Sequence, residues 1–172
     1  ARMQMIFQDP SGSLDPRKSV KELIGEPLKI YKACKNRDEY DARIAQIMET
    51  VGLDERYAES FSHELDGGRR QRIGIARALV LNPKFVVCDE PVSALDVSIQ
   101  AQVLNLMLDI QERMGLTYIF ITHDLSVVKY ISNDIMVMYL GQMVEKAPAD
   151  ELFMHRYHPY TRAPVSYTHL RA

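Results

Sequence analysis

The sequence lacks several features that would mark particular classes of protein. Its 172 residues contain no tryptophan and only two cysteines, Cys34 and Cys88, which excludes a disulfide-rich framework and suits a reducing cytosol. No apolar run reaches the roughly 18 residues of a membrane span, and the first residues show no signal-peptide pattern. A formal net charge of −2 gives no reason to expect nucleic acid as the main partner.

What remains is the composition of an ordinary globular domain, with 47% hydrophobic and 26% charged residues. Apolar strand-like runs alternate with segments of helical spacing, which predicts an α/β fold with a parallel sheet. The chain opens without methionine, inside a predicted strand over residues 1–7, so we expect it to be truncated at its N-terminus.

The predicted strand over residues 85–88 ends in two adjacent carboxylates, Asp89 and Glu90. Four apolar residues in succession predict a strand buried on both faces, with its carboxyl end open. Doubly wound sheets bind their ligands at that edge. There Asp89 can hold Mg²⁺, usually through water, and Glu90 can polarise an attacking water. Taken alone, the pair is better explained by a strand that runs into an acidic turn.

Four other segments carry polar residues at comparable positions. Gln8 follows the first strand, in a predicted loop over 8–13, and in isolation would be a solvent-facing loop residue. Gly67 and Gly68 precede a predicted helix, where backbone N–H groups can meet an anion. Asp96 is placed as the N-cap of a long helix. His123 ends the strand predicted over 117–122, where a turn residue is the simpler interpretation.

In chain order, these segments resemble the ATPase subunit of an ABC transporter, over nearly the whole chain. The resemblance implies an α/β fold of the P-loop NTPase (RecA-like) type, with a parallel sheet core, an inserted helical subdomain and an incomplete N-terminus. The phosphate-binding sequence G-x-x-x-x-G-K-[ST] is absent, and in the family it lies upstream of the Q-loop. The implied segments are the end of the N-terminal core with the Q-loop (1–10), the helical subdomain with the signature motif (11–78), the core with Walker B, D-loop and H-loop (79–147), and a C-terminal tail (148–172).

The resemblance also implies roles for individual residues toward ATP and Mg²⁺. Glu90 and His123 would be catalytic, with His123 at the H-loop position contacting the γ-phosphate. Asp89 and Gln8 would serve the metal. The residues implied in ATP binding are Gln8, Asp66, Gly67, Gly68, Arg69 and Asp96.

The signature segment departs from the family pattern at two of five positions. The family reads Leu-Ser-Gly-Gly-Gln, whereas this chain has Asp66 for the serine and Arg69 for the glutamine. A carboxylate about 4 Å from a phosphate charge costs about 4 kcal/mol at an effective dielectric constant near 20. Arg69 can offset part of this cost by pairing with phosphate or with Asp66 itself. We therefore predict a weakened composite nucleotide site on this face.

Two further stretches resemble the oligopeptide, dipeptide and nickel uptake group: residues 5–17 and the tail segment 158–163. The implied partners are a second ATPase subunit in a head-to-tail dimer, two transmembrane permease subunits and an extracytoplasmic solute-binding protein. The implied location is peripheral, on the cytoplasmic face of a prokaryotic membrane. Residues 164–172 do not continue the likeness, and we expect an artefact of sequencing or expression there.

Two other functions fit part of the pattern. A soluble ABC-type ATPase of DNA repair or translation would predict basic patches or a large insertion, and neither occurs. A catalytically impaired half-domain that only completes a partner's site would suit the absent phosphate loop and Asp66. Glu90 and His123 argue against that second interpretation for the parent protein.

Overall fold

The computed structural model describes residues 2–8 and 10–162. Internal contacts divide the chain into a first unit that ends at Ile121 and a second that begins at Thr122. Predictions for residues 1, 9 and 163–172, including the expected artefact, lie outside the described residues, and the four-segment division stays a prediction. Among the residues described, no helix is both long and apolar enough to span a membrane.

The first unit contains a three-stranded parallel sheet, as predicted. Its strands are β1 (Met3–Ile6), β2 (Phe85–Asp89) and β3 (Thr117–Ile121), in the order β1-β2-β3. Ile6 lies opposite Cys88, and Asp89 lies opposite Ile121. The carboxyl ends of all three strands therefore meet at one edge of the sheet.

One face of the central strand β2 is more deeply buried than the other. Val86 and Cys88 are fully buried, whereas Phe85 and Val87 are half-buried. The prediction of full burial on both faces is therefore wrong for the second face. Burial raises the pKa of the Cys88 thiol to about 12, so Cys88 stays protonated and packs as a small apolar side chain.

The residues between β1 and β2 are mainly helical, with 3₁₀ turns at Glu55–Tyr57 and Ser62–Glu64. Helix ends follow the sequence signals, since Gly52 and Gly115 adopt the left-handed conformation just after two of the helices. The helices of the first unit are α1 (Pro10–Ser13), α2 (Val20–Ile30), α3 (Arg37–Thr50), α4 (Gly67–Leu79) and, after β2, α5 (Val97–Met114).

Helices α1 and α2 differ from the prediction. A loop was expected at residues 8–13, but Pro10–Ser13 forms α1, with proline at the first position, where its missing N–H costs nothing. Pro27 was expected to limit α2, yet the helix continues to Ile30. Burial of Leu23 and Leu28 on either side of Pro27 offsets the hydrogen bond that proline cannot donate.

The second unit is built on an antiparallel strand pair joined at Gly141, as predicted. One hydrophobic cluster of this unit consists of Ile135, Ala149 and Leu152, with half-buried apolar side chains packed around them, and Val127 and Ile131 on α6 are buried as well. Its elements are α6 (Leu125–Ile131), β4 (Asp134–Tyr139), β5 (Gln142–Pro148), α7 (Ala149–Met154) and α8 (Pro159–Arg162).

A carboxylate on β5 binds the segment that follows α7 through hydrogen bonds. Glu145 accepts hydrogen bonds from the backbone N–H groups of Tyr157 at 3.0 Å and His158 at 3.3 Å. The Thr161 hydroxyl and these two N–H groups hold the pKa of the Glu145 carboxyl below its ordinary value. The tail segment recognised in the sequence thus has a polar anchor within its own unit.

Candidate functional site

The predicted loop glutamine and the predicted catalytic carboxylate meet at the carboxyl edge of the sheet. Gln8 lies two residues beyond β1, and Glu90 directly follows β2. The Gln8 Nε2 donates a hydrogen bond of 2.7 Å to the Glu90 Oε2. The parallel pairing of β1 with β2 brings together these two side chains, which are 82 positions apart.

The backbone fixes Glu90 in an unusual conformation. Its φ of +44° lies in the left-handed region, which costs a residue other than glycine about 1–2 kcal/mol. The Glu90 N–H donates to the Ile121 carbonyl at 2.9 Å, and the Ser93 N–H and hydroxyl both donate to the Glu90 carbonyl. These contacts hold the turn and fix where the Glu90 backbone lies at the sheet edge.

Asp89 is the last residue of β2 and is half-buried at the same edge. Within the described ranges, no three His, Cys, Asp or Glu side chains come together to form a protein-only metal cage. Mg²⁺ in nucleotide sites typically takes one or two protein carboxylates, with substrate phosphates and water completing its shell. Asp89 and the amide oxygen of Gln8 are of the ligand type that such a site needs.

The two unusual residues of the signature segment pair with each other. Asp66 is the N-cap of α4, and its Oδ1 accepts the Arg69 N–H at 2.8 Å. The Arg69 guanidinium forms an ion pair with Asp66 Oδ2 and lies over the Tyr57 ring, 4.9 Å from the centroid. With Asp66 as its cap, the helix begins at Gly67. The prediction that it starts after the glycine pair is therefore wrong. The Asp66 charge is partly compensated before any phosphate is present.

The glycine pair also has a packing role that the sequence did not reveal. A Cβ on Gly68 would lie 2.8 Å from the Ile99 side chain of α5, and one on Gly67 would lie 3.4 Å from the Leu95 side chain. Leu95 belongs to the predicted D-loop. The start of α4 and the D-loop segment are therefore neighbours within one chain. The close approach of Gly68 to Ile99 favours a residue without a side chain at position 68.

Asp96 occupies the predicted N-cap position of α5, but its side chain makes no capping hydrogen bond. Its carbonyl instead accepts the Gln100 N–H at 2.8 Å, and its side chain is exposed. Helix capping by the carboxylate, the simpler explanation of this residue, thus receives no support. A role toward a nucleotide stays a prediction.

His123 lies in the second unit, just before α6. The turn around it is held locally. The Asp124 N–H donates to the Thr122 hydroxyl at 3.1 Å, and the Asp124 carboxylate caps α6 by accepting the Ser126 N–H at 2.8 Å. The catalytic role of His123 stays a prediction.

Tyr57 is a neighbour of the site that sequence reasoning missed. It stacks with Arg69 and lies against Arg56, whose guanidinium carbon is also 4.9 Å from the ring centroid. Tyr57 and Arg69 are twelve positions apart and lie in different elements. No local spacing could have indicated this contact.

The features on this sheet edge agree with a comparison against protein families. The family model described as ABC transporter matches residues 1–93, more than half of the chain. The chain belongs to the ABC transporter family. The resemblance inferred from the motif order is thereby confirmed.

Several curated relatives within this family are similar over almost the whole chain. The chain is 57% identical over 165 residues to an oligopeptide transport ATP-binding protein, OppF, of Bacillus subtilis, and these residues are 96% of this chain and 54% of that protein. It is 53% identical over 163 residues to a dipeptide transport ATP-binding protein, DppF, of Lactococcus lactis, covering 95% of this chain and 52% of that protein. The chain thus spans about half the length of the curated relatives it matches.

Solved structures support the fold. One neighbour is cbiO1 of Clostridium perfringens, with a TM-score of 0.79 and 27% identity over 89% of this chain and 59% of that one. Another is a dimeric ATP-binding cassette bound to ADP and Pi in a post-hydrolysis state, with a TM-score of 0.73 and 28% identity over 86% of this chain and 63% of that one. The predicted ABC ATPase fold is confirmed.

Proposed function

We propose that the chain is part of an ATP-hydrolysing subunit that powers the import of oligopeptides or dipeptides. The observation that carries the proposal is the Gln8–Glu90 hydrogen bond of 2.7 Å at the carboxyl edge of a parallel sheet, next to Asp89. The peptide substrate class rests on the names of relatives that are more than 50% identical.

The proposal gives chemical tasks to Glu90, Gln8 and Asp89 at the sheet edge and to His123 in the second unit. Glu90 accepts a proton from the attacking water, while Gln8 orients that carboxylate and the water. Asp89 and Gln8 would hold Mg²⁺, which when bound neutralises phosphate charge. His123 would contact the γ-phosphate, a role that the family resemblance suggests.

The signature segment would act toward a nucleotide held by a second subunit. The backbone N–H groups at the start of α4 and the Arg69 guanidinium are the groups suited to phosphate there. Asp96 would lie beside them in the D-loop. The proximity of Gly67 to the Leu95 side chain supports joint action of these two segments.

The partners follow from the family. We infer a head-to-tail pair of ATPase subunits, two transmembrane permease subunits and an extracytoplasmic solute-binding protein, with the ATPase on the cytoplasmic face of the membrane. A dimeric arrangement of the similar cassette supports the first of these partners. The oligopeptide and dipeptide transport named for the relatives supports the others.

The test is hydrolysis by the subunit that carries this chain, assembled with its permeases. Glu90→Gln should lower the ATPase rate by about 100- to 10,000-fold, because the amide cannot accept the proton. ATP binding should persist. Glu112→Gln, at an exposed position on α5, is the matched control and should leave the rate unchanged. An unaltered rate in Glu90→Gln would overturn the proposal.

A second candidate is a non-catalytic half-domain that completes a partner's site. The observation that favours an impaired chain is the departure of its signature segment from the family pattern, with Asp66 and Arg69 paired to each other. This candidate predicts that Glu90→Gln has no effect on hydrolysis by the assembled transporter. The same measurement thus separates the two candidates.

A further inference from the structure

Two arginines of α4 donate to backbone carbonyls outside the helix. The Arg72 Nη1 donates to the Val51 carbonyl at 2.6 Å, at the end of α3. The Arg77 Nη1 donates to the Ser13 carbonyl at 2.9 Å, at the end of α1. The two bonds are alike in chemistry. Of the two, only the Arg77 bond reaches the short segment that follows Gln8.

The Arg77 guanidinium is held in place within a cluster of three charged side chains, Lys18, Glu26 and Arg77. Its Nη2 lies 3.0 Å from the Glu26 Oε2, and the Lys18 Nζ lies 2.6 Å from the Glu26 Oε1. The three side chains are only 28–37% exposed, so solvent screens this cluster less than an open surface pair. The Lys18 hydrogen bond and, after it, the Arg77 charge hold the pKa of the Glu26 carboxyl below its ordinary value.

A cleft lies beside this cluster. It has a volume of about 160 Å³ and is lined by Phe7 just after β1, by Pro27 on α2, and by Gly74 and Arg77 on α4. The buried Gln71 amide also lines it, and its nitrogen has no hydrogen-bond partner among the described residues. The Phe7 side chain in its wall is exposed, so the cleft is open to solvent. The hydrogen bond from Arg77 to Ser13 and its ion pair with Glu26 are the polar contacts that join α4 to the elements beside this cleft.

We propose that Arg77 is a positioning residue that ties the signature helix α4 to the segment after Gln8. A change at Gln8 is then passed through Ser13 and Arg77 to the Asp66–Arg69 segment at the other end of α4. The helix has 13 residues, which corresponds to a rigid rod of about 20 Å. The link itself is a property of the first unit, and its consequence for hydrolysis rests on the proposed function.

The link can be tested on the chain alone by backbone amide NMR. Gln8→Ala is introduced into three backgrounds: the unchanged chain, Arg77→Gln and Arg72→Gln. The amide shift changes at residues 66–70 should fall by at least about half in the Arg77→Gln background. They should persist in the Arg72→Gln background, which loses a comparable hydrogen bond on the same helix.

The opposite result would point to another route between these regions. Unchanged shifts in the Arg77→Gln background would overturn the proposal and leave the packing of α4 on β1, or the proximity of Leu95 to Gly67, as the route. If Arg77→Gln does not fold, Arg77→Lys serves instead, since a single ammonium cannot keep both the Ser13 and the Glu26 contacts. A shift pattern preserved in that variant would equally overturn it.

Hydrolysis by the assembled subunit supplies an independent readout. Arg77→Gln should lower kcat by about 10- to 100-fold with little change in KM, as expected when a catalytic group is displaced from a distance. Arg72→Gln should keep the unchanged rate. Equal losses in both variants would reduce Arg77 to a structural role. Failure of Glu90→Gln to impair hydrolysis would refute the proposed function and leave the NMR result standing.

Discussion

The two units of the chain are stabilised in different ways. The first buries long apolar stripes, such as Ile73 and Leu79 on α4 and Met107 on α5. The second buries fewer apolar side chains, which among its described residues are Val127, Ile131, Ile135, Ala149 and Leu152, and it relies on the Glu145 anchor for its tail. It also exposes large apolar side chains: Tyr130, Met136, Met138, Tyr139, Leu140, Met143, Met154, Tyr157 and Tyr160.

Both units contain a residue other than glycine in the left-handed region, Glu90 in the first and Leu140 in the second. The first unit contains a left-handed Glu90 and a buried Gln71 nitrogen that lacks a partner in the described structure. Each of these costs about 1–3 kcal/mol. The apolar burial around them is large enough to offset such costs. A core the size of that in the second unit has much less to spare.

The largest expected effect compares one buried leucine from each unit. Leu152→Ala and Leu79→Ala should each destabilise the chain by about 3 kcal/mol, because both side chains are 1% exposed. The same loss is a larger share of what holds the second unit. Hydrogen exchange should therefore show nearly complete loss of protection in β4 and β5 for Leu152→Ala, and partial loss in β2 for Leu79→Ala. Equal partial losses would contradict the contrast.

The next effect tests close packing in the first unit with two glycines of one helix. Gly68→Ala should destabilise the chain by about 1–3 kcal/mol, because its Cβ would lie 2.8 Å from Ile99. Gly74→Ala should stabilise it by about 0.5–1 kcal/mol, since no atom lies within 4 Å of the added Cβ. Urea unfolding of both variants measures the difference. A neutral Gly68→Ala would show that Ile99 moves aside freely.

A smaller effect is expected for the polar pair of the signature segment. Asp66→Ser, Arg69→Gln and the double variant form a thermodynamic cycle that restores the family pattern. We expect a coupling energy of about 0.2–1 kcal/mol, because both side chains are roughly half exposed. Urea unfolding at low salt measures it, and 1 M salt should reduce it. A coupling energy of zero would mean that the two substitutions do not compensate each other.

The smallest effect concerns the dependence of stability on pH in the acid range. The pKa values of Glu26 in the first unit and Glu145 in the second are both lowered in the folded chain. Their stabilising contributions are therefore fully present above the ordinary value of 4.5 and are lost as the pH falls through the lowered folded values. Glu145→Gln should flatten the acid dependence of α8 protection, followed by NMR, and Glu26→Gln should not. A curve unchanged by Glu145→Gln would argue against the anchor.

Much of the fold could be predicted from the sequence because its signals are local. The spacing of apolar residues and the positions of turn residues predicted β1, β2, β3 and the strand pair joined at Gly141, and they predicted a parallel sheet. Pro27 and the α1 segment were predicted wrongly. There, burial against residues distant in the sequence and the position of a proline within the first turn outweighed the local signals.

The sequence by itself determined the family, through the identity and order of Gln8, the glycine pair, Asp89-Glu90 and His123. Only the tertiary structure decided how several of these residues are used. It bonded Gln8 to Glu90, paired Asp66 with Arg69 over Tyr57, and connected Arg77 to Ser13. Each motif is a short run of neighbouring residues, so the motifs and their order can be recognised in the sequence. The contacts between motifs depend instead on strand register and helix packing, which join residues up to 82 positions apart.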